Sequence, residues 1–456
     1  MVTSRSNPGA TPGSIVLALG CGLALAGAAG CNWTQFDDLA DQTWVDRVTK
    51  PDVTASREYG EVVLATPTRT AGTNLVVVGR SEASISQLVY DGNGTRQPVT
   101  SIDPTEPLQF ATFAENPAFA ADTDTNRIAL TVVQGENTDP TRIAVYDGSA
   151  LSASGPLRSI ILPQQVGNPG RANILAEGIT FANLPTHPAG GNAEKELVVA
   201  RGPTLLVIQD YELADGGAST FAIDGCTHGD DWSYEVGVGD VDATHDGPEI
   251  LIATGTERRD GPSRIQIVAP ENVQTPYTAP AACNALGELT SAEEPTDLGA
   301  QLAFGRFPDD DATADLDDVV YSAPSLNKVF VRFASGQTAE INAGDQGSDF
   351  GDSVVVADLD GDGVPEIIVG APKADVGGAT NGGAVYVFQY DDTQAQKFRQ
   401  VLTLGPADPA TEEHFGKSVA VAPFGTGTDR VLAVGAEGEV FTYFRTALYP
   451  DVRPGR

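Results

Sequence analysis

Four acids stand at close, regular spacing in one stretch of this chain: Asp358, Asp360, Asp362 and Glu366, with Gly361 and Gly363 between them. Carboxylates at alternate positions can converge on one point when glycines let the chain turn tightly. Glu366 then closes the shell from the start of the apolar run Ile367-Ile368-Val369. With the Val364 carbonyl and water, the loop offers the six to eight hard oxygens that calcium takes at about 2.3–2.6 Å, a crowding that magnesium tolerates less well. In the helix-flanked calcium loop the closing acid comes three positions later. Here extended runs flank the acids, so the expected site is a strand-loop-strand version.

The same spacing returns in looser form. Asp240, Asp242, Asp246 and Glu249 keep four acids, with one extra residue around Ala243-Thr244-His245, and make a second, poorer calcium candidate. Near residue 305, Arg306 takes the place of the first ligand, and Asp309, Asp310, Asp311, Asp315 and Asp317 follow in a longer loop. That site reads as lost. Further on, Pro423 stands in the first-ligand place and Asp429 is isolated, so no ion is expected there.

Other chemistry is thinly represented. His187, His228, His245 and His414 are scattered, with no partner at metal-ligand spacing. Gly351-Asp352-Ser353 superficially echoes a hydrolase nucleophile turn but belongs to a repeating frame described below. No phosphate-cradling glycine pattern precedes a helix. With 62 Asp and Glu against 27 Lys and Arg, the net charge of -35 repels nucleic-acid phosphate, so nucleic-acid binding is excluded as an expectation. The reading is of a protein that is not an enzyme.

The elements that must hold these loops are short and extended. Gly 50 and Pro 30 together make roughly a sixth of the chain, too many turn-formers for long helices. Apolar runs recur at Leu75 to Val78, Ile128 to Val133, Leu197 to Ala200, Ile250 to Ala253, Val319 to Tyr321, Ile367 to Val369 and Val431 to Val434, about 60 residues apart. Each has a strand-like run before it and another after it. A period this long, with three strands and room for a fourth, fits one propeller blade, since a lone four-stranded sheet exposes two apolar faces that only stacking can bury. The expected fold is therefore all-β, a seven-bladed β-propeller over residues 58–446, with a tail at 447–456. After Phe444 the last blade lacks a clear fourth strand, and an open edge needs cover. The segment around Trp44, Val45 and Val48 is the candidate to close the ring; otherwise residues 31–57 are only a tether.

The stretch Phe350-Gly351, the Asp-rich loop, Gly370-Ala371-Pro372 and the closing run Gly383-Ala384-Val385-Tyr386-Val387-Phe388 resembles an FG-GAP repeat, the blade unit of the integrin α-subunit propeller. Weaker copies of the frame stand at Tyr59-Gly60, Leu298-Gly299 and Phe415-Gly416. The resemblance implies a seven-bladed ring whose calcium sits between the first two strands of a blade and stiffens it. It does not carry over a partner, and FG-GAP repeats also accompany enzymes such as phospholipases. The alternative to a recognition protein is thus a secreted or envelope hydrolase or lyase with its site in the propeller channel.

Residues 1–30 read as a targeting signal. Arg5 is their only charged side chain, and the apolar run Ile15 to Ala29, about 15 residues, is too short to span a bilayer comfortably. Ala28-Ala29-Gly30-Cys31 resembles the lipobox of bacterial lipoproteins, which implies lipidation of Cys31, although Leu25 lies further upstream than in the usual pattern. Ala18-Leu19-Gly20-Cys21 is a poorer match, and the plain alternative is a cleaved signal peptide that leaves Cys31 as a free thiol. In an oxidising compartment Cys226 and Cys283 are candidates for a disulfide. Together these readings describe a calcium-stabilised lipoprotein of the outer membrane or cell surface, which binds a protein or glycan and meets the membrane through Cys31.

Overall fold

The structure, a computed structural model, describes residues 45–49 and 59–448 apart from connecting segments between strands, the longest of which are 103–110, 163–177, 185–195, 210–218 and 271–280. Cys31, Cys226, Cys283, Asp246, His187 and His228 lie outside the described residues. Among the described residues no helix is long and apolar enough to cross a membrane.

The chain is an all-β propeller. Its strands form seven sheets, antiparallel apart from the short parallel pair of Ser219–Asp224 with Ala281–Ala282, and in most of them each strand is hydrogen-bonded to the next in sequence. The fifth sheet comprises Leu302–Gly305, Asp318–Ala323, Lys328–Arg332 and Thr338–Ile341; the sixth comprises Ser353–Ala357, Glu366–Ala371, Ala384–Tyr390 and Phe398–Leu404. The first strands of successive sheets pack beside one another, and that of the seventh, Ser418–Pro423, packs against that of the first, Tyr59–Thr66.

Burial explains the sequence pattern. In the fifth sheet the second strand is buried at every position, because neighbouring sheets cover both faces, whereas the third and outermost strands alternate buried with more exposed residues. Near-continuous Val/Ile/Leu runs therefore mark second strands, and period-two runs mark the outer ones. Apolar clusters fill the spaces between sheets: Val320, Val331 and Phe333 of the fifth meet Ile367, Val369 and Phe388 of the sixth, and Ile368, Val385 and Val387 meet Leu432, Val434 and Phe441 of the seventh.

The repeats are not all equivalent. Six sheets carry one unbroken strand in each of four positions, but in the second the inner position is split between Ala111–Phe113 and Phe119–Asp122, both paired with Arg127–Gln134. Phe113 pairs with Val132 and Phe119 with Leu130, so the two pieces meet the partner strand on either side of Thr131.

The outer strand of the seventh sheet comes from the other end of the chain: Val45–Thr49 pairs antiparallel with Glu439–Phe444, in the register Val45↔Tyr443 to Thr49↔Glu439. Asp46 on this strand also accepts hydrogen bonds from the Tyr90 hydroxyl (3.0 Å) and Arg96 Nε (2.6 Å) of the first sheet's region. Arg47 pairs with Glu439 and lies over the Phe441 ring. One short strand thereby joins both ends of the chain.

The aromatic-glycine frame has a physical reason in the sixth sheet. Phe350 is fully buried against Tyr386 and Phe388, with ring centroids 5.7 and 6.0 Å away. Gly351 follows at φ +99°, where a Cβ would come within 2.9 Å of the Ser322 side chain of the fifth sheet. Only glycine combines that backbone with so close an approach.

Candidate metal centre

The Asp358–Glu366 loop joins the first and second strands of the sixth sheet, starting beyond the pair Ala357↔Glu366. Its carboxylates first organise the backbone. Glu366 Oε2 accepts from the N–H of Leu359 (2.7 Å) and of Asp360 (3.4 Å), Asp358 accepts from Gly361 (2.6 Å) and Gly363 (3.1 Å), and Asp360 Oδ1 accepts from Asp362 (3.0 Å). Gly361 and Gly363 both have positive φ, as the tight turn requires.

Three of the expected ligands meet. Asp358, Asp360 and Glu366 each present an oxygen so that all three atoms lie within 4.8 Å of one another, and this is the single such group of His, Cys, Asp and Glu among the described residues. Asp362 stays exposed on the rim and Val364 is half-buried beside it, its N–H donating to Asp362 Oδ1 at 2.8 Å. Glu366 is fully buried and Asp360 nearly so. Burial, followed by the charge of Asp360, pushes the Glu366 carboxyl up to about 7. Three hard carboxylate oxygens at close range, two of them shielded from water, suit a divalent cation, whose charge would offset their repulsion and hold Glu366 ionised.

One participant had no signal in the acid pattern. Gln389, on the third strand, directs its amide nitrogen at Asp360 Oδ2 (2.7 Å) and Glu366 Oε1 (3.3 Å). It stands one residue beyond the pair Ile367↔Phe388, which places it across the ladder from Glu366.

The neighbouring loops reuse the frame with different fillings. In the third to sixth sheets the acid opening the second strand, Glu196, Glu249, Asp318 or Glu366, accepts the N–H two residues past the end of the first strand, from Leu184, Val241, Phe307 or Leu359 at 2.7–3.0 Å. Those four donors are buried. The closing acid is thus a loop brace, whether or not other ligand-type residues accompany it. An acid opening a buried strand, seven to twelve residues after a buried Leu, Val or Phe, is the sequence signal for it, recoverable only once the repeats are aligned.

In the loop of Asp240, Asp242 and Glu249, the other Glu249 oxygen lies 2.8 Å from His245 Nδ1, and Asp242 Oδ1 accepts from the N–H and hydroxyl of Thr244, which holds its carboxyl below the usual range. Asp240 donates its N–H to Asp317 Oδ2 (3.1 Å) and accepts the Asp317 N–H at its carbonyl (2.6 Å). These acids are not brought to one point, and the inserted His245 sits where an ion would need Glu249. In the fifth sheet Arg306 pairs with Asp317 at 2.9 Å, a guanidinium in the first-ligand position. His414, left without a role by its spacing, lies between Glu437 (2.8 Å) and Glu412 (3.3 Å).

No curated protein matches the chain in sequence. Among solved structures, a streptogramin B lyase aligns with 10% identity over 88% of this chain and 96% of that one, at TM-score 0.48. Virginiamycin B lyase from Staphylococcus aureus aligns with 10% identity over 88% and 98%, at 0.47. The BBS1N chain, from a crystal structure of its complex with ARL6DN, aligns with 12% identity over 88% and 97%, at 0.50. At 12% identity the likeness to the BBS1N chain bears on the fold alone. The family comparison is narrower and more specific, covering residues 350–388 from the Phe350-Gly351 frame to Phe388. Those residues are an FG-GAP repeat, and in this chain it forms one blade of a β-propeller.

Proposed function

We propose that this chain is a calcium-braced, non-catalytic recognition propeller of the bacterial cell envelope, anchored by a lipid on Cys31 and binding a protein or glycan. The observation that carries the reading is the convergence of Asp358, Asp360 and Glu366 within 4.8 Å, inside the blade that matches the FG-GAP repeat. An ion there would tie the start of the second strand to its loop, which is a stiffening role. In this reading the ring has seven blades, supported by the seven sheets and by the order in which their first strands pack. The split inner strand serves as that of the second blade. The loop from Asp240 to Glu249 is left out, because His245 and Thr244 already engage its acids.

For the anchor, the support is the Ala-Ala-Gly-Cys pattern and the place of the first described strand. Thirteen residues lie between Cys31 and Val45, a reach of at most about 50 Å, so the ring would work close to the membrane surface. The test is a thermal melt in calcium-depleted buffer and in millimolar calcium. Calcium is expected to raise the melting temperature of the wild type, and Asp360→Ala to abolish most of the gain. Equal melts of the wild type with and without calcium would overturn the reading.

A further inference from the structure

We infer that Gln389 is a ligand of the cation proposed for the Asp358–Glu366 loop, one that changes ends when the ion enters; this rests on the calcium reading above. Its amide nitrogen lies 2.7 Å from Asp360 Oδ2 and 3.3 Å from Glu366 Oε1, two of the three carboxylates that converge. A primary amide carries donors on its nitrogen and an acceptor on its oxygen. As placed, the N–H groups answer two buried negative oxygens. A divalent cation between those oxygens repels the amide hydrogens and attracts the carbonyl. A half-turn about the last side-chain bond exchanges the two ends, with the strand and the rest of the side chain left in place.

The position supports the assignment. Gln389 stands across the ladder from Glu366, on a strand whose preceding residues, Ala384 to Phe388, are buried, so its backbone is held by packing rather than by the loop. Side-chain amide oxygens are ordinary calcium ligands, and this one would add a fourth oxygen without a fourth charge. It also lies one residue past the matched repeat, which ends at 388. The loop would thus take a ligand from the third strand as well as from the turn between the first two.

The test is isothermal titration of the full chain with Ca2+ alone, for the wild type, Gln389→Met and Gln389→Glu, with folding checked by circular dichroism in calcium-depleted buffer. If the amide oxygen ligates the ion, the methionine variant binds Ca2+ about ten-fold more weakly, while the glutamate variant, which keeps an oxygen, binds at least as tightly as the wild type. If Gln389 only donates to the acids, its loss removes a competitor of the ion, and the methionine variant binds as tightly or more tightly. That result overturns the inference, as does weakening in both variants. A wild type that binds no Ca2+ overturns the underlying site instead, so the two failures are distinguishable.

Discussion

Replacing Glu366 by glutamine should change the pH dependence of stability in a way that reverses with calcium. The carboxyl is fully buried beside Asp360, which holds it at about 7 in the folded chain against the ordinary value of 4.5. A raised carboxyl contributes stability that is fully present below its unfolded value and lost as pH rises through its folded one. In calcium-depleted buffer the wild type is therefore expected to lose stability from about pH 4.5 to about pH 7 and then to level off. The shift corresponds to at most about 3 kcal/mol at 1.36 kcal/mol per pH unit. For a chain of this length that is a melting-temperature difference of about 4 °C. Glutamine can still accept the Leu359 N–H through its carbonyl oxygen but carries no charge. The Glu366→Gln variant should lack this component and, without calcium at pH 7.5, melt above the wild type. In millimolar calcium the order should invert, because the variant has lost a ligand charge. Calorimetric melts of both proteins at pH 5.0 and 7.5, with and without calcium, give the difference directly. A difference between wild type and variant that does not vary with pH in depleted buffer would refute the reasoning.

Two further perturbations test what holds the ring. Gly351→Ala places a Cβ within 2.9 Å of Ser322 on a backbone at φ +99°, and should destabilise by about 1–3 kcal/mol whether or not calcium is present; an unchanged melt would show that the fifth and sixth sheets can separate at no cost. Asp46→Ala removes the acceptor shared by Tyr90 and Arg96 and should cost about 1–3 kcal/mol. Faster proteolysis of the N-terminal strand in native conditions would be the corroborating readout, and unchanged cleavage would count against its role as a clasp.

The strands were legible because burial on both faces writes itself into sequence. Runs such as Ile250 to Ala253 and Ile367 to Val369 have no other stable home than a second strand covered by two neighbours. The turn acids were legible for a related reason, since alternate carboxylates separated by glycines are costly unless something is made of them. In the second sheet the extra piece Phe119–Asp122 was not legible, because four residues are too few to show a period.

What the chain's own residues determined, then, was the repeat, the all-β fold and the loop most able to gather oxygens. Tertiary structure alone decided how that loop is used. It put Asp358, Asp360 and Glu366 together while leaving Asp362 on the rim, set His245 against Glu249 and Arg306 against Asp317 in the neighbouring loops, and brought Gln389 in from another strand. It also paired Val45–Thr49 with Glu439–Phe444 across nearly the whole length of the chain. The physical reason is common to all of these. Spacing along a chain reports which groups can turn toward each other within a few residues, whereas contacts across a ladder or a ring closure depend on registers that form only when the sheets pack.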